Sequence, residues 1–275
     1  MSEEFFGKIK YLLQAIIAGE QSFYRDKYSG LDLKIIEDLS KDNFSLLPII
    51  SKSDLAEAPY KNRCYGEGTG INKLIFFEDN NSYFLIHRTI EEIGKDDLPV
   101  VGERPMVILS NVYEAVERCV FFYEKRILPL IGEANNFTVV YATARQYKID
   151  SLFIDHISVE KFRKGLLTEP QNKISHVTVI DSMFLLGDLE WPENIKKAFI
   201  LSIPEFGRIA FSCPEITKKS GLVLHSYPDV YIEPGALSVL TSSRLWACPM
   251  IRYKSTIYME RIVAECKCGL AAFKI

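Results

Sequence analysis

Cys213, His225, Cys266 and Cys268 are four side chains able to ligate a metal, and they fall late in a 275-residue chain that holds only six cysteines and four histidines. Three thiolates and one imidazole could close a tetrahedral Cys3His zinc site, the last pair being written Cys266-Lys267-Cys268-Gly269. Such a site contributes folding free energy and would act as a staple for the strands around it, with no catalysis. The Cys-x-Cys spacing is tighter than the usual Cys-x2-4-Cys knuckle. The other reading of Cys213 and Cys266 is as small buried hydrophobes, the commonest fate of a free cysteine. Cys64, Cys119 and Cys248 have no partner legible in the sequence, and His87, His156 and His176 stand alone, so each reads as a packed or satisfied residue.

Between the metal-type ligands run Gly235-Ala236-Leu237-Ser238-Val239-Leu240-Thr241-Ser242 and Pro249-Met250-Ile251-Arg252-Tyr253-Lys254-Ser255. Upstream stand Pro204-Glu205-Phe206-Gly207, leading into Cys213, then Phe23-Tyr24-Arg25, Leu47-Pro48-Ile49-Ile50-Ser51-Lys52-Ser53-Asp54-Leu55, and the Gly-rich Tyr65-Gly66-Glu67-Gly68-Thr69-Gly70-Ile71-Asn72-Lys73. In their order along the chain these segments resemble the phenylacetate-coenzyme A ligase branch of the adenylate-forming superfamily. The stretch from about residue 88 to 195 carries no matching motif.

The resemblance implies ATP, magnesium and a small carboxylic acid as ligands, an acyl-adenylate as intermediate, and coenzyme A or another thiol as acceptor. It implies that Gly66, Gly68 and Gly70 bring backbone N–H groups close to phosphates, with Thr69 and Lys73 adding a hydroxyl and a cation. The same segment also reads as a Gly-rich turn between a helix and a hairpin. Glu205 stands where the family holds magnesium with a hard oxygen ligand, and Arg252 sits in the family's nucleotide-side "R-Y-x-T-G-D" stretch.

The departures are specific. Glu67 places a negative charge among the phosphate-loop residues, Leu201-Ser202-Ile203-Pro204 replaces the family's Tyr-Gly-x-Thr, and Ile257 stands where an aspartate binds the ribose hydroxyls. Ile275 is the last residue, so the lysine-bearing C-terminal domain of the family is expected to be absent or supplied by a separate C-terminal-domain or acyl-carrier partner. Two functions follow from these residues. One is an acyl- or aryl-acid-activating ligase with a degraded nucleotide site; the other is a non-catalytic relative that keeps the fold as a zinc-stabilised binding or scaffold module.

Composition sets the frame for both. With 48% hydrophobic and 25% charged residues the chain can bury a full core. A net charge of -3 offers no basic excess for nucleic acid. No apolar run reaches the length of a membrane span and the acidic Met1-Ser2-Glu3-Glu4 is not a signal n-region. The cysteine usage reads as that of a reducing compartment, which makes cytoplasmic the default.

The elements that must position these residues follow from periodicity. Phe5, Phe6, Ile9, Leu12, Leu13, Ile16 and Ile17 predict a helix ending near Gly19, and Lys73 to Phe77 with Ser82 to His87 predict a hairpin. A strand at Met106 to Leu109 and an Asn111-capped helix through Phe122 come next, then strand-like Phe137 to Tyr141 leading to a short helix through Gln146. Strand Ser151 to Ile154, helix Val159 to Leu167, strand Val177 to Ile180, helix Pro192 to Lys197 and strand Ala198 to Leu201 complete a βαβα alternation. That pattern predicts an α/β fold: a mostly parallel, helix-covered sheet over residues 1–205, followed by a smaller antiparallel β subdomain over 206–275.

Overall fold

The apolar stripe of the N-terminus forms α1 (Glu3–Ala18), which buries Phe5, Phe6, Ile9, Leu13 and Ile16 on one face. The side chain of Ser2 accepts the N–H of Phe5, Glu3 and Glu4 sit in the positive first turn, and Gly19 ends the helix where the sequence predicts. The structure, a computed structural model, describes residues 2–19, 22–64, 70–77, 82–94, 102–133, 136–159, 162, 173–181, 195–212, 223–263 and 270–275. It forms two compact units, each assembled from separate stretches of chain: residues 1–92, 226–263 and 273–275 in one, residues 93–225 and 264–272 in the other.

In the first unit α1 is followed by α2 (Ser22–Tyr28), α3 (Leu33–Glu37), a 3-10 turn at Phe44–Leu46, α4 (Lys52–Glu57) and α5 (Tyr60–Arg63). A full capping box opens α4: the Ser51 hydroxyl accepts the Asp54 N–H at 3.1 Å, and the Asp54 carboxylate accepts the Ser51 N–H at 2.7 Å. The predicted hairpin is present as β1 (Gly70–Phe77) and β2 (Ser82–Thr89), antiparallel with Gly70 opposite Thr89. A short helix, α6 (Ile90–Gly94), continues from it.

The second unit is built on β3 (Pro105–Ile108), α7 (Val112–Glu124), β4 (Leu130–Ile131), α8 (Phe137–Gln146), β5 (Ser151–Asp155), β6 (His176–Asp181), β7 (Lys196–Ile203), β8 (Gly207–Ser212) and β9 (Leu224–Ser226). Its strands run in the order β4-β3-β5-β6-β7-β8-β9. The first four pairings are parallel and β7 with β8 is antiparallel. Every residue of β3 and of β5 is buried, as a parallel strand covered on both faces requires. Met106, Ile108, Leu152, Ile154, Val177 and Val179 form one core with Val140, Ala144 and Phe162. Asn111 caps α7 as predicted, its side-chain oxygen accepting the N–H groups of Tyr113 and Glu114 at 2.9 and 3.2 Å.

Two expectations need correction here. Phe137 to Tyr141 is the first half of α8 and not a strand: Asn136 caps it by accepting the Val139 N–H, and Val140 and Ala144, four residues apart, both reach the core. Helical spacing of buried residues outweighs the β preference of Thr138, Val139 and Val140. Lys196 and Lys197 belong to β7 and not to a helix, pairing with His176 and Val177 of β6. Their own side chains are exposed, so ladder hydrogen bonds and not burial hold them in the strand. Of the predicted Val159 to Leu167 helix, residues 156–159 are helical, and most of the remainder lies outside the described residues.

The rest of the first unit is an antiparallel sheet of β10 (Val230–Glu233), β11 (Val239–Ser242) and β12 (Tyr253–Lys254), followed by β13 (Glu260–Ile262). The final strand, β14 (Ala272–Lys274), lies beside β9. The 206–275 stretch therefore contributes to both units. Among the described residues, no helix is long and apolar enough to cross a membrane.

Gly70 is held to glycine by close approach. A Cβ there would lie 2.2 Å from the Arg88 carbonyl oxygen and 2.9 Å from Nε2 of His87. Gly70→Ala is expected to cost about 1–3 kcal/mol of stability by overpacking; an unchanged urea midpoint would show that β1 yields locally.

Candidate functional site

Arg252 is the most heavily engaged of the candidate residues. It is 7% exposed, and its backbone takes a positive φ of 52°. Nε and Nη2 donate to the two carboxylate oxygens of Glu233 at 2.9 and 2.8 Å. Nη1 donates to the carbonyl oxygens of Ser45, at 2.6 Å, and Leu47. The planar fork thus has a carboxylate on one side and two carbonyls on the other, a geometry an ammonium cannot reproduce. The Arg252 N–H donates to the Thr241 hydroxyl at 2.9 Å, which steadies the left-handed backbone.

The segments around Arg252 are the ones the resemblance singles out. Ile50 donates its N–H to the Arg252 carbonyl at 2.9 Å and accepts the Lys254 N–H at 2.8 Å. Tyr24 and Tyr28, one turn apart on α2, donate their hydroxyls to the carbonyls of Pro249 and Ile251. Burial pushes the Tyr28 hydroxyl far above the usual phenol range, against the pull of the nearby Arg252 cation, so it stays a neutral donor. Residues 23–25, 47–55 and 249–255 therefore assemble into one cluster within the first unit.

The remaining nucleotide-side candidates divide. Lys73 lies on β1, on the same face as Ile75, and is 1% exposed. Glu205 is buried at the turn between β7 and β8 in the second unit, where Gly207 takes a φ of 82°. Gly70 is the near end of β1, and Gly66, Gly68 and Thr69, with Glu67, lie outside the described residues. Ile257 is a core residue of the first unit, with its carbonyl accepting the Ser238 N–H at 2.9 Å and its N–H donating to the Ser255 hydroxyl at 3.2 Å.

Of the four zinc-type residues, His225 alone is described; Cys213, Cys266 and Cys268 are not. Among the described residues no group of three or more potential ligands could hold a metal. His225 is fully buried in β9, and Nδ1 is 3.1 Å from the carbonyl oxygen of Ala271. A carbonyl only accepts, so Nδ1 carries the proton and Nε2 the lone pair, the tautomer of a metal-bound histidine with an oriented ring. The Phe211 ring lies 6.0 Å from that of His225. His225 thus touches one residue two positions before Cys213 and another three positions after Cys268, and β8 and β14 are the two sheet neighbours of β9.

Other polar anchors escape sequence reading. Cys64 and Cys248 form a disulfide, which corrects the expectation that neither has a partner. Disulfides persist chiefly in oxidising compartments, so cysteine usage no longer carries the cytoplasmic default. Cys119 is the free thiol among the described residues, and burial pushes its pKa up. Glu92 is 1% exposed: one oxygen accepts the N–H groups of Trp246 and Ala247 at 2.7 and 2.9 Å, the other that of Thr89 at 2.8 Å. The Thr89-x-x-Glu92 capping pattern was the signal that could have found it. In the second unit Asp155, at the end of β5, accepts the N–H groups of Ser110 and Ser158. Because β3 connects to β4 on one side while β5 leads to β6 on the other, the carboxyl ends of β3 and β5 flank a topological switch point, where open α/β sheets bind ligands.

No protein-family model matches the chain, and no curated protein matches it in sequence. Solved structures do. The chain is similar to 2-hydroxyisobutyryl-CoA ligase, solved in an open conformation with 2-HIB-AMP and CoA, with a TM-score of 0.75 and 13% identity over 98% of this chain and 72% of that one. It is also similar to the inhibitor-bound N-terminal domain of FACL13 from Mycobacterium tuberculosis, with a TM-score of 0.51 and 10% identity over 70% of this chain and 55% of that one. At these identities the likeness is one of fold: the mixed α/β architecture of adenylate-forming enzyme N-terminal domains, with a large mostly parallel sheet and a small antiparallel one.

Two substitutions separate architecture from ligand binding in the first unit. Arg252→Met strands the Glu233 carboxylate and should cost about 2–3 kcal/mol in urea unfolding, below the ~3–5 of a fully buried pair because Glu233 keeps some contact with water. Wild-type stability would return Arg252 to the ligand-facing role. Ile257→Asp places a carboxylate in the core and should destabilise by at least ~2 kcal/mol without gain of nucleotide affinity; tighter ATP binding at unchanged stability would mean that position 257 faces a ribose.

Proposed function

We propose that this chain is a divergent acid-activating protein of the AMP-forming, coenzyme A ligase kind, binding a small carboxylic acid with ATP and magnesium at a weakened nucleotide site. The observation that carries this reading is the fold likeness to 2-hydroxyisobutyryl-CoA ligase across 98% of the chain. That ligase was solved with an acyl-adenylate and CoA, and the family-like segments 23–25, 47–55 and 249–255 of this chain gather in one place. In this reading Gly66, Gly68, Gly70, Thr69 and Lys73 meet phosphates, Glu205 meets magnesium, and the acid enters at the carboxyl ends of β3 and β5. Ile257 removes two hydrogen bonds to ribose, which at ~1.5–3 kcal/mol each for charged partners weakens nucleotide binding by about a hundredfold or more.

A second reading has its own support. Arg252 already makes four hydrogen bonds to protein acceptors and Ile257 is core, so the nucleotide side of the first unit has two fewer groups to offer. On that reading the fold serves as a non-catalytic binding or scaffold module. Isothermal titration with ATP and magnesium, followed by pyrophosphate release against aryl and alkyl acids, decides between them. Micromolar to submillimolar binding with acid-dependent release is the expected result. A folded protein that shows no heat at millimolar ATP overturns it in favour of the scaffold.

The zinc staple belongs to either reading. His225 presents Nε2 in the ligating tautomer, and Cys213, Cys266 and Cys268 supply thiolates that would complete a Cys3His set. One zinc per chain is expected by elemental analysis, with Cys268→Ser losing the metal and lowering Tm. Metal-free protein of unchanged Tm would leave these cysteines as packing residues.

A further inference from the structure

The disulfide between Cys64 and Cys248 joins two places whose other attachments differ in kind. Cys64 is the C-cap of α5, a helix of four residues, and the next described residue after it is Gly70. Cys248 lies in the loop between β11 and Arg252, and that loop has independent anchors: Glu92 holds the N–H groups of Trp246 and Ala247, and Arg244 donates to Asp229 at 3.0 Å. Breaking the sulfur bridge would leave the Cys248 side fixed by these contacts. The Cys64 side would keep the Cys64 N–H on the Tyr60 carbonyl at 3.0 Å, Arg63 on the Ala58 carbonyl at 3.2 Å and over the Phe84 ring at 5.3 Å, and the Tyr60 hydroxyl on the Asn72 side-chain oxygen at 3.0 Å, contacts within its own segment or to the β1–β2 hairpin and none of them to the 243–255 loop.

Both sulfurs also have donors suited to a thiolate. The His87 N–H donates to Cys248 Sγ at 3.1 Å, and Nη1 of Arg63 lies 3.6 Å from Cys64 Sγ. His87 is itself fixed through Nδ1 on the Asn72 side-chain oxygen at 2.9 Å, so β1 and β2 hold the first donor in place. A purely structural cystine has no use for a cation and an amide aimed at its sulfurs, whereas thiolates beside positive charge are the good leaving groups of thiol exchange.

We infer that Cys64–Cys248 is a reversible redox tether, closed by oxidation and opened by a dithiol reductant, which sets how firmly the segment leading into Gly66 to Gly70 is attached to the 243–255 loop. The exchange balances without any further reactant. One thiolate of the dithiol attacks Sγ of Cys64, the more exposed of the two residues at 6% against 2% for Cys248. The S–S bond breaks, a mixed disulfide forms, and Cys248 leaves as a thiolate that accepts the His87 N–H. The second thiolate of the dithiol then closes on its partner sulfur and releases Cys64 as a thiolate beside Arg63. Two electrons pass from the dithiol to the cystine, and the two protons the dithiol lost return to the protein thiols. The effect on nucleotide binding rests on the acid-activating reading; the tether itself does not.

Hydrogen exchange on the full chain tests the tether without any ligand. Protein equilibrated with oxidised dithiothreitol should yield a 64–248 cross-linked peptide, and reduction should speed amide exchange in residues 60–64 and 70–77 by about tenfold or more. Exchange in α1 and β6 should stay within about twofold, and reoxidation should restore the slow rates. Cys64→Ser and Cys248→Ser should exchange like the reduced wild type in either buffer. Absence of the cross-linked peptide, equal exchange in the two states, or global unfolding on reduction would each overturn the proposal, the last by making the bridge a plain structural staple. ATP titration in both states is a separate measurement, so loss of nucleotide binding cannot be mistaken for failure of the switch.

Discussion

One guanidinium holds the first unit to its pattern. Arg252 sits at a positive φ that only a supported non-glycine residue adopts, and its guanidinium makes four hydrogen bonds, two to a carboxylate and two to backbone carbonyls. Burying such a group is costly unless every donor is met. The surrounding chain is therefore constrained: residues 45–47 must present carbonyls, β10 must end in Glu233, and Tyr24 and Tyr28 must donate to the carbonyls of Pro249 and Ile251 just before it. Because these partners come from three separate stretches of sequence, the unit cannot lose one without exposing a polar orphan in another. The same argument applies at Glu92, where one buried carboxylate organises three backbone amides, one in its own turn and two in a single distant loop.

The second unit rests on a different constraint. A parallel sheet leaves its strands no solvent face, so β3 and β5 must be apolar throughout and polar groups are pushed to their ends. Asp155 is the residue that follows from this. It stands at the last position of β5, and by accepting amides from Ser110 and Ser158 it ties the two loops that flank the switch point.

How much of this was legible depended on whether the signal was local. α1, the β1–β2 hairpin and the Asn111 cap of α7 were readable because period, turn chemistry and cap lie within a few residues. Phe137 to Tyr141 misled because a β-branched run carries a strand preference, while the buried positions Val140, Ala144 and Ile149 that make it a helix depend on what lies across the core. The Cys64–Cys248 pair was out of reach, since a sequence separation of 184 residues leaves nothing for spacing to report. In the candidate site a motif marks a residue type and not its direction: it does not say whether a guanidinium such as that of Arg252 faces a ligand or its own chain.

That distinction bears on what a resemblance carried by scattered segments means. Segments 23–25, 47–55 and 249–255 would each look functional if met singly, yet together they satisfy one another's carbonyls and amides. A set of mutually dependent hydrogen bonds persists as long as the fold is needed, whatever becomes of the ligand, because losing any member leaves a buried donor or acceptor unpaired. A ligand-facing residue has no such protection: once nothing binds it, replacement by an apolar side chain such as Ile257 is neutral or stabilising to the fold. The likeness in these segments is thus the likeness expected of architecture, and it accords with a shared fold at 13% identity. The chemistry has to be read from residues whose side chains are not already committed to holding the chain together, and Arg252 and Ile257 are not among them.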